Sequence, residues 1–348
     1  MNQTLVDTLA AAGKSTTVWT SPDGSSALVL PHGGRILGLF ASESSENFLW
    51  THPALETVST AQSFYESGEW HNSGGDRTWL SPEVDFFLPN FPQLDVYVQP
   101  REFDPGEYQI TQDDASVTLS NRFTSRLSRT GVTVQLEITK RLSEARNPLR
   151  TLASSLCDHF EYAGYALRTR LAFTSGKCEA AAAGLWSLLQ FPHKGELLIP
   201  TFSKPRVKTY FGKIDDEDLK ITDHLVRYKM RTAGEHKIGI EAPFVTGRAG
   251  YLKCLGDRSS LVIRNFSVNP SGEYIDVPWS DTAYPGAAIE ACNVDSKLGS
   301  FSELEYHAPA IGGSTGSWSC EDESQVWAFR GSEEALLQLS RLLLSPES

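Results

Sequence analysis

The chain has 348 residues, with 31 basic and 43 acidic side chains and a formal charge of −12. Forty per cent apolar and 21% charged residues make an ordinary globular composition, with enough chain to bury a sizeable core. The acidic balance argues against nucleic acid or an anionic membrane surface as partner and is compatible with a neutral polyol.

Cys157, Cys178, Cys254, Cys292 and Cys320 are odd in number and widely spaced, with no CxxC pair, so neither a zinc cluster nor a disulfide framework is expected. The start, Met-Asn-Gln-Thr-Leu-Val-Asp, lacks the basic and apolar regions of a signal peptide. No run approaches the ~20 apolar residues of a membrane helix. A reduced, cytoplasmic protein is the expectation.

In chain order, Thr4 to Ala12 reads as a short helix stopped by Gly13. From Thr16 the pattern changes to short β runs. Ser26–Leu30 and Arg35–Phe40 flank Pro31-His-Gly-Gly34 as a hairpin. The stretch from His71 to Glu83, His-Asn-Ser-Gly-Gly-Asp-Arg-Thr-Trp-Leu-Ser-Pro-Glu, gathers unlike polar groups around Gly74 and Gly75. It reads as a loop in which the glycines let backbone approach a ligand, with Trp70 and Trp79 as exposed stacking faces. A braced surface loop is the other reading. Leu94–Val98 reads as a strand.

Strict alternation follows at Ser116–Phe123 and at Val132–Thr139, where Val132, Val134, Leu136 and Ile138 share one face, the mark of an antiparallel sheet with one wetted side. Further runs read as strands at Tyr165–Phe173, Leu185–Leu189, Glu196–Ile199, His224–Met230, Lys237–Glu241, Tyr251–Leu255, Ser260–Arg264, Glu303–His307 and Gln325–Phe329, with Gly256-Asp257-Arg258 as one turn. Ser332 caps a closing helix to Leu344. With no linker or repeat, about fifteen strands predict an all-β chain. The expected architecture is a single large antiparallel β-supersandwich with short terminal helices, one domain over 1–348 with its core at about 17–330.

Three further places gather polar groups. Trp186 and Gln190 share parity on one strand, with His193 beyond it. Glu290 follows small and apolar residues in Gly286-Ala-Ala-Ile-Glu290 and needs a partner if buried. Glu303, Glu305 and His307 alternate on one strand, the wetted face of an outer strand or the floor of a cleft. A carboxylate and an imidazole two positions apart suit a metal, but no third ligand stands at telling spacing. No Gly-x-Ser-x-Gly elbow, GxGxxG or P-loop is present, so no nucleotide cofactor is expected.

Gly33-Gly34-Arg35-Ile-Leu-Gly-Leu39, the 74–83 stretch, Tyr274-Ile-Asp-Val-Pro-Trp279 and Glu303-Leu-Glu-Tyr-His-Ala-Pro309 together resemble the galactose mutarotase-like superfamily. More closely they resemble a branch of it marked by Gly-Gly-Asp-Arg-Thr-Trp. The resemblance covers about residues 17–330. It implies a carbohydrate cleft on a concave sheet, holding a sugar or oligosaccharide without a cofactor. In aldose 1-epimerases of this superfamily a His is general acid on the ring oxygen and a Glu general base on the anomeric hydroxyl. The Gly-x-x-x-Glu context carries the base role to Glu290.

The epimerase His motifs are absent here, and His71 stands nearest the signature turn as candidate acid, with His307 as its replacement. Asp76, Arg77, Trp79, Glu83, Trp186, Gln190, Glu305 and His307 are the candidate substrate contacts. Arg77 suits a substrate carboxylate. Two alternatives to aldose 1-epimerase-like chemistry on a hexose or acidic sugar stand beside it. One is a uronate-glycan lyase using Arg77 with His71, Tyr210 or Tyr251; the other is a sugar-binding protein without turnover.

Overall fold

A computed structural model describes residues 3–175, 178–256, 258–281 and 283–348; Asp257 of the expected 256–258 turn lies outside them. Period-two burial runs through the long strands. In Thr133–Glu144, Val134, Leu136, Ile138 and Leu142 are buried while Thr133, Gln135 and Arg141 face water. A strand so patterned has one dry face, and two such sheets bury theirs against each other.

The result is two ten-stranded sheets whose neighbours pair antiparallel. The first sheet runs 17–20, 26–30, 35–40, 76–81, 182–192, 299–307, 289–296, 234–240 and 208–211, with Ile311–Gly312 beside 182–192. The second runs 219–221, 225–230, 195–200, 248–255, 258–266, 319–331, 161–175, 133–144, 116–126 and 109–112. The fold is a galactose mutarotase-like β-sandwich, as the resemblance implied. Ile36, Leu189, Ile238, Ile289 and Leu304 of the first sheet meet Tyr165, Leu167, Val262 and Ala328 of the second.

The outer faces are covered unevenly. Leu336, Leu339 and Leu343 of the closing helix Glu333–Leu343 lie on Leu261, Ile263 and Phe329 of the second sheet. That helix begins where expected, with the Ser332 hydroxyl accepting from Ala335 N at 3.3 Å. Helices Gln3–Ala11 and Val58–Glu66 cover Leu28, Leu30 and Leu37 at one end of the first sheet. The middle of that sheet's outer face sets charged side chains among Trp79, Trp186 and Leu188. Among the described residues no helix is long and apolar enough to cross a membrane.

Two local expectations are corrected. Residues Asp76–Ser81 form a strand rather than a loop. Gly74 and Gly75 do take positive φ, but the close approach they permit is to their own sheet. A Cβ on Gly75 would lie 2.3 Å from the Ile36 carbonyl oxygen, and one on Gly74 2.3 Å from that of Trp50. Leu94–Val98 is not a strand but a covering segment with Leu94, Val96, Tyr97 and Val98 exposed.

Gly75→Ala is therefore expected to lower stability. The left-handed backbone alone costs about 1–2 kcal/mol for a residue with a Cβ, and the carbonyl overlap adds to it. A urea midpoint equal to wild type would show that the backbone relaxes there.

Candidate active site

Adjacent residues of a strand point to opposite faces, and this separates the signature pair. Asp76 points between the sheets, where Tyr165 OH donates to Oδ2 at 2.6 Å and Arg264 Nη1 stands 3.0 Å away. Both partners belong to the opposing sheet, so Asp76 braces the sandwich and is not a substrate contact. Arg77 and Trp79 point outward. Across the sheet Trp79 is opposite Trp186, and Arg77 opposite Leu188. Trp186 is opposite His307, Leu188 opposite Glu305, and Gln190 opposite Glu303. Glu305 is opposite Glu290, Glu303 opposite Cys292, and Cys292 opposite Lys237. One face thus collects candidates from four separate stretches of sequence.

Lys237 is its centre. Its Nζ lies 2.7 Å from Glu290 Oε2 and 3.0 Å from Glu305 Oε2, and 4.5 Å above the Trp186 ring. Trp186 Nε1 donates to Glu305 Oε2 at 2.8 Å. His307 Nε2 is 3.2 Å from Glu290 Oε2, and its ring stacks on Trp186 at 5.5 Å. Asp276 joins from the segment before the strand Ile289–Ser296. Ligand atoms of Asp276, Glu290 and His307 all lie within 4.8 Å of one another. These three and Glu305 are each only 1% exposed.

Burial pushes every carboxyl here upward, and neighbours decide the outcome. For Glu290 the Lys237 ammonium and His307 outweigh burial and hold it at about 2. For Asp276 burial, reinforced by Glu290, wins over His307 and Lys237, and the carboxyl stands at about 7. Burial also drives Glu305 well above the usual range, against Lys237 and with help from Glu303 and Glu290. Burial would lower Lys237, but Glu290 and Glu305 hold it well above an ordinary lysine. An ionised and a protonated carboxyl side by side are the divided protonation states that acid–base catalysis uses.

Several polar atoms here have no partner. Asp276 Oδ2, Glu290 Oε1 and both side-chain amide atoms of Gln190 are buried and unpaired. Asp276, Glu290 and His307 are donors of the type that hold a divalent cation. The Lys237 ammonium already stands on Glu290.

Two chain segments roof the face. Glu83 accepts from Tyr97 OH at 2.7 Å and from Trp279 Nε1 at 2.6 Å, and its backbone N–H donates to Asp276 Oδ1 at 2.8 Å. Tyr97 stacks on both Phe87 and Trp279.

Of the remaining candidates, Arg77 faces the site but its guanidinium is held by Glu303 at 3.0 Å and lies over Trp79 at 4.3 Å. Trp79 is buried, its Nε1 donating to Asp104 at 2.7 Å, and Trp70 donates to the same carboxylate at 3.0 Å. These indoles are packing, not exposed platforms. His71 lies elsewhere: its Nδ1 is 3.3 Å from His32 Nε2, and its ring packs on Phe64 and Tyr65. It precedes the strand that enters the site and contacts none of the Glu290 group. His193 is buried against Asn293 at 2.8 Å. Tyr251 bonds Ser302 inside the sandwich, whereas Tyr210 faces Lys237 at 5.3 Å.

Lys237 and Asp276 were missed as site residues. Lys237 reads only as the start of the 237–241 strand, and no sequence signal distinguishes a solvated lysine there from one in a buried ion pair. Asp276 did have a signal, since it sits inside the Tyr274–Trp279 motif. A cavity of about 350 Å³ lies elsewhere, lined by Val268, Pro309, Cys320 and Asp322 among others. Its walls hold carboxylates but no imidazole or cation, so it offers no comparable chemistry.

The family model of DUF6786, a family of unknown function, matches residues 8–346. The chain belongs to DUF6786. No curated protein matches the sequence. Among solved structures, the chain is similar to a putative aldose 1-epimerase from Escherichia coli K12, at 11% identity and TM-score 0.55, over 90% of this chain and 99% of that one. It is also similar to a galactose mutarotase related enzyme from Lactobacillus acidophilus, at 10% identity and TM-score 0.51, over 91% and 97%. At such identities the likeness shows the fold this DUF6786 member shares with them.

Proposed function

We propose that this protein binds a sugar on the outer face of its first sheet and catalyses aldose 1-epimerase-like ring opening there. The observation that carries the reading is the convergence of Glu290, His307 and Asp276 within 4.8 Å on a buried face, with Glu290 held ionised beside Asp276, whose carboxyl stands at about 7. O1 and O5 of a pyranose are bonded to the same carbon, so groups this close can serve both. Glu290 takes the proton from O1–H, the C1–O1 double bond forms, and the C1–O5 bond breaks. His307 delivers a proton to O5. Rotation about C1–C2 and reclosure gives the other anomer, with each proton returned. The incoming sugar displaces the direct His307–Glu290 contact.

A uronate lyase is less well supported, because Arg77 and Lys237 are both already held by carboxylates and neither is free to neutralise a uronate. The test is anomer equilibration of freshly dissolved α-glucose, α-galactose and a hexuronic acid, followed by NMR. Wild type is expected to accelerate at least one, and Glu290→Gln to lose at least ~10²-fold in rate with folding intact. Acceleration of none removes the epimerase reading and leaves sugar binding; a small loss in Glu290→Gln moves the base role to Glu305.

A further inference from the structure

We infer that the sugar taken by this face is a 2-amino-2-deoxyaldose, its ammonium group seated on Asp276 while the neighbouring anomeric hydroxyl meets Glu290. This deepens the sugar reading above and rests on it.

Glu83, Asp276, Glu290, Glu303 and Glu305 converge on the face, with Arg77, Lys237 and His307 among them. Arg77 is held by Glu303 at 3.0 Å, and Lys237 by Glu290 and Glu305 at 2.7 and 3.0 Å. Glu83 is satisfied by Tyr97 and Trp279. Asp276 is not: Oδ1 accepts the Glu83 backbone N–H, and Oδ2 is buried with no partner. A buried polar atom without a partner carries its full desolvation penalty, so something is expected to complete it.

The ligand classes divide on this. A sugar phosphate or uronate would meet, among the described residues of this face, no cation that is not already paired, and would add to an excess of carboxylates. A neutral hexose offers Asp276 Oδ2 a hydroxyl donor, but one without charge assistance. A protonated amine supplies both the donor and the charge. The spacing selects which amine. Asp276 and Glu290 present ligand atoms no more than 4.8 Å apart, and in a 2-amino-2-deoxyaldose N2 and O1 stand on adjacent carbons, each within reach of its own carboxylate. Gln190, wholly buried with both amide atoms unpaired, offers a donor and an acceptor to the ring hydroxyls from across the face.

The test compares freshly dissolved α-glucosamine hydrochloride, α-glucose, N-acetyl-α-glucosamine, glucuronate and glucose 6-phosphate at about neutral pH, where the free amine is still largely protonated and Asp276, at about 7, can ionise to meet it. Anomer equilibration is followed by NMR, and binding by calorimetry. Glucosamine is expected to exceed glucose and N-acetylglucosamine in kcat/KM by at least about tenfold, the worth of one charge-assisted hydrogen bond. Asp276→Asn is expected to bring that ratio near one. If glucose is equilibrated as fast, or the acidic sugars bind as tightly, this inference falls and the sugar reading stands. If no sugar is equilibrated, the epimerase reading falls; a calorimetric preference for glucosamine over N-acetylglucosamine then still supports the inference, and equal or absent binding overturns it. Manganese or zinc chloride that binds wild type, fails on Asp276→Asn and is not displaced by glucosamine would assign these carboxylates to a metal and also overturn it. Should Asp276→Asn not fold, the wild-type ratio decides.

Discussion

Lys237→Met is expected to destabilise the protein by about 3–5 kcal/mol at neutral pH, the usual cost of removing one partner from a buried ion pair. The variant keeps the stem volume but leaves Glu290 and Glu305 facing each other across paired strands with their shared cation gone. The loss should shrink on acidification, and from both sides. In wild type the depressed Glu290, at about 2, contributes stability above the ordinary carboxylate range that disappears as pH falls towards its folded value. In the variant Glu290 is buried with Lys237 absent, so its folded pKa rises and the folded state gains a proton, and stability, as pH falls from neutral. Urea unfolding at neutral pH and near the carboxylate range measures both effects. A loss below ~1 kcal/mol, or one that does not change with pH, would mean that Lys237 is not the charge that holds this cluster together.

The fold was legible because its signals are local. Alternation at Thr133–Glu144, the Ser332 cap and the Ser26–Phe40 hairpin each depend on residues a few positions apart, and the strands formed where these patterns stand. The site was legible only in part. Trp186 with Gln190, and Glu303 with Glu305 and His307, each shared a parity along their own strand that could be read off, and together with Glu290 they do share a face. What sequence could not convey is which face of a strand meets the other sheet. Asp76 and Arg77 are neighbours of equal promise, yet one turns to Tyr165 and Arg264 and the other to Glu303. His71 was misplaced for a related reason: nearness in sequence to the signature turn puts it at the strand's entry, beside His32, and not among the residues around Glu290. Lys237 illustrates the remaining gap, since a buried lysine is made acceptable by two carboxylates from strands more than fifty residues away in sequence.

Asp276→Asn is expected to be more stable than wild type above about pH 7, with the gap closing towards pH 4. Burial, with Glu290 beside it, raises this carboxyl from 3.8 to about 7, although His307 and Lys237 pull the other way and Glu83 adds to the rise. Between those two values the folded state binds a proton that the unfolded chain has lost, so stability falls as pH rises through the window and levels off above it. The slope for one group is at most about 1.4 kcal/mol per pH unit, which over the window is on the order of 4 kcal/mol. Asparagine does not titrate, and its side-chain oxygen can still accept the Glu83 N–H that Asp276 accepts at 2.8 Å. Wild-type and variant stability curves against pH should therefore converge in acid and separate through neutrality. Parallel curves would mean that Asp276 is ionised in the folded protein and that another group takes up the proton. A stability gain on removing a charge from the face, paired with loss of the amino-sugar preference, is what a carboxylate retained for a ligand rather than for the fold would produce.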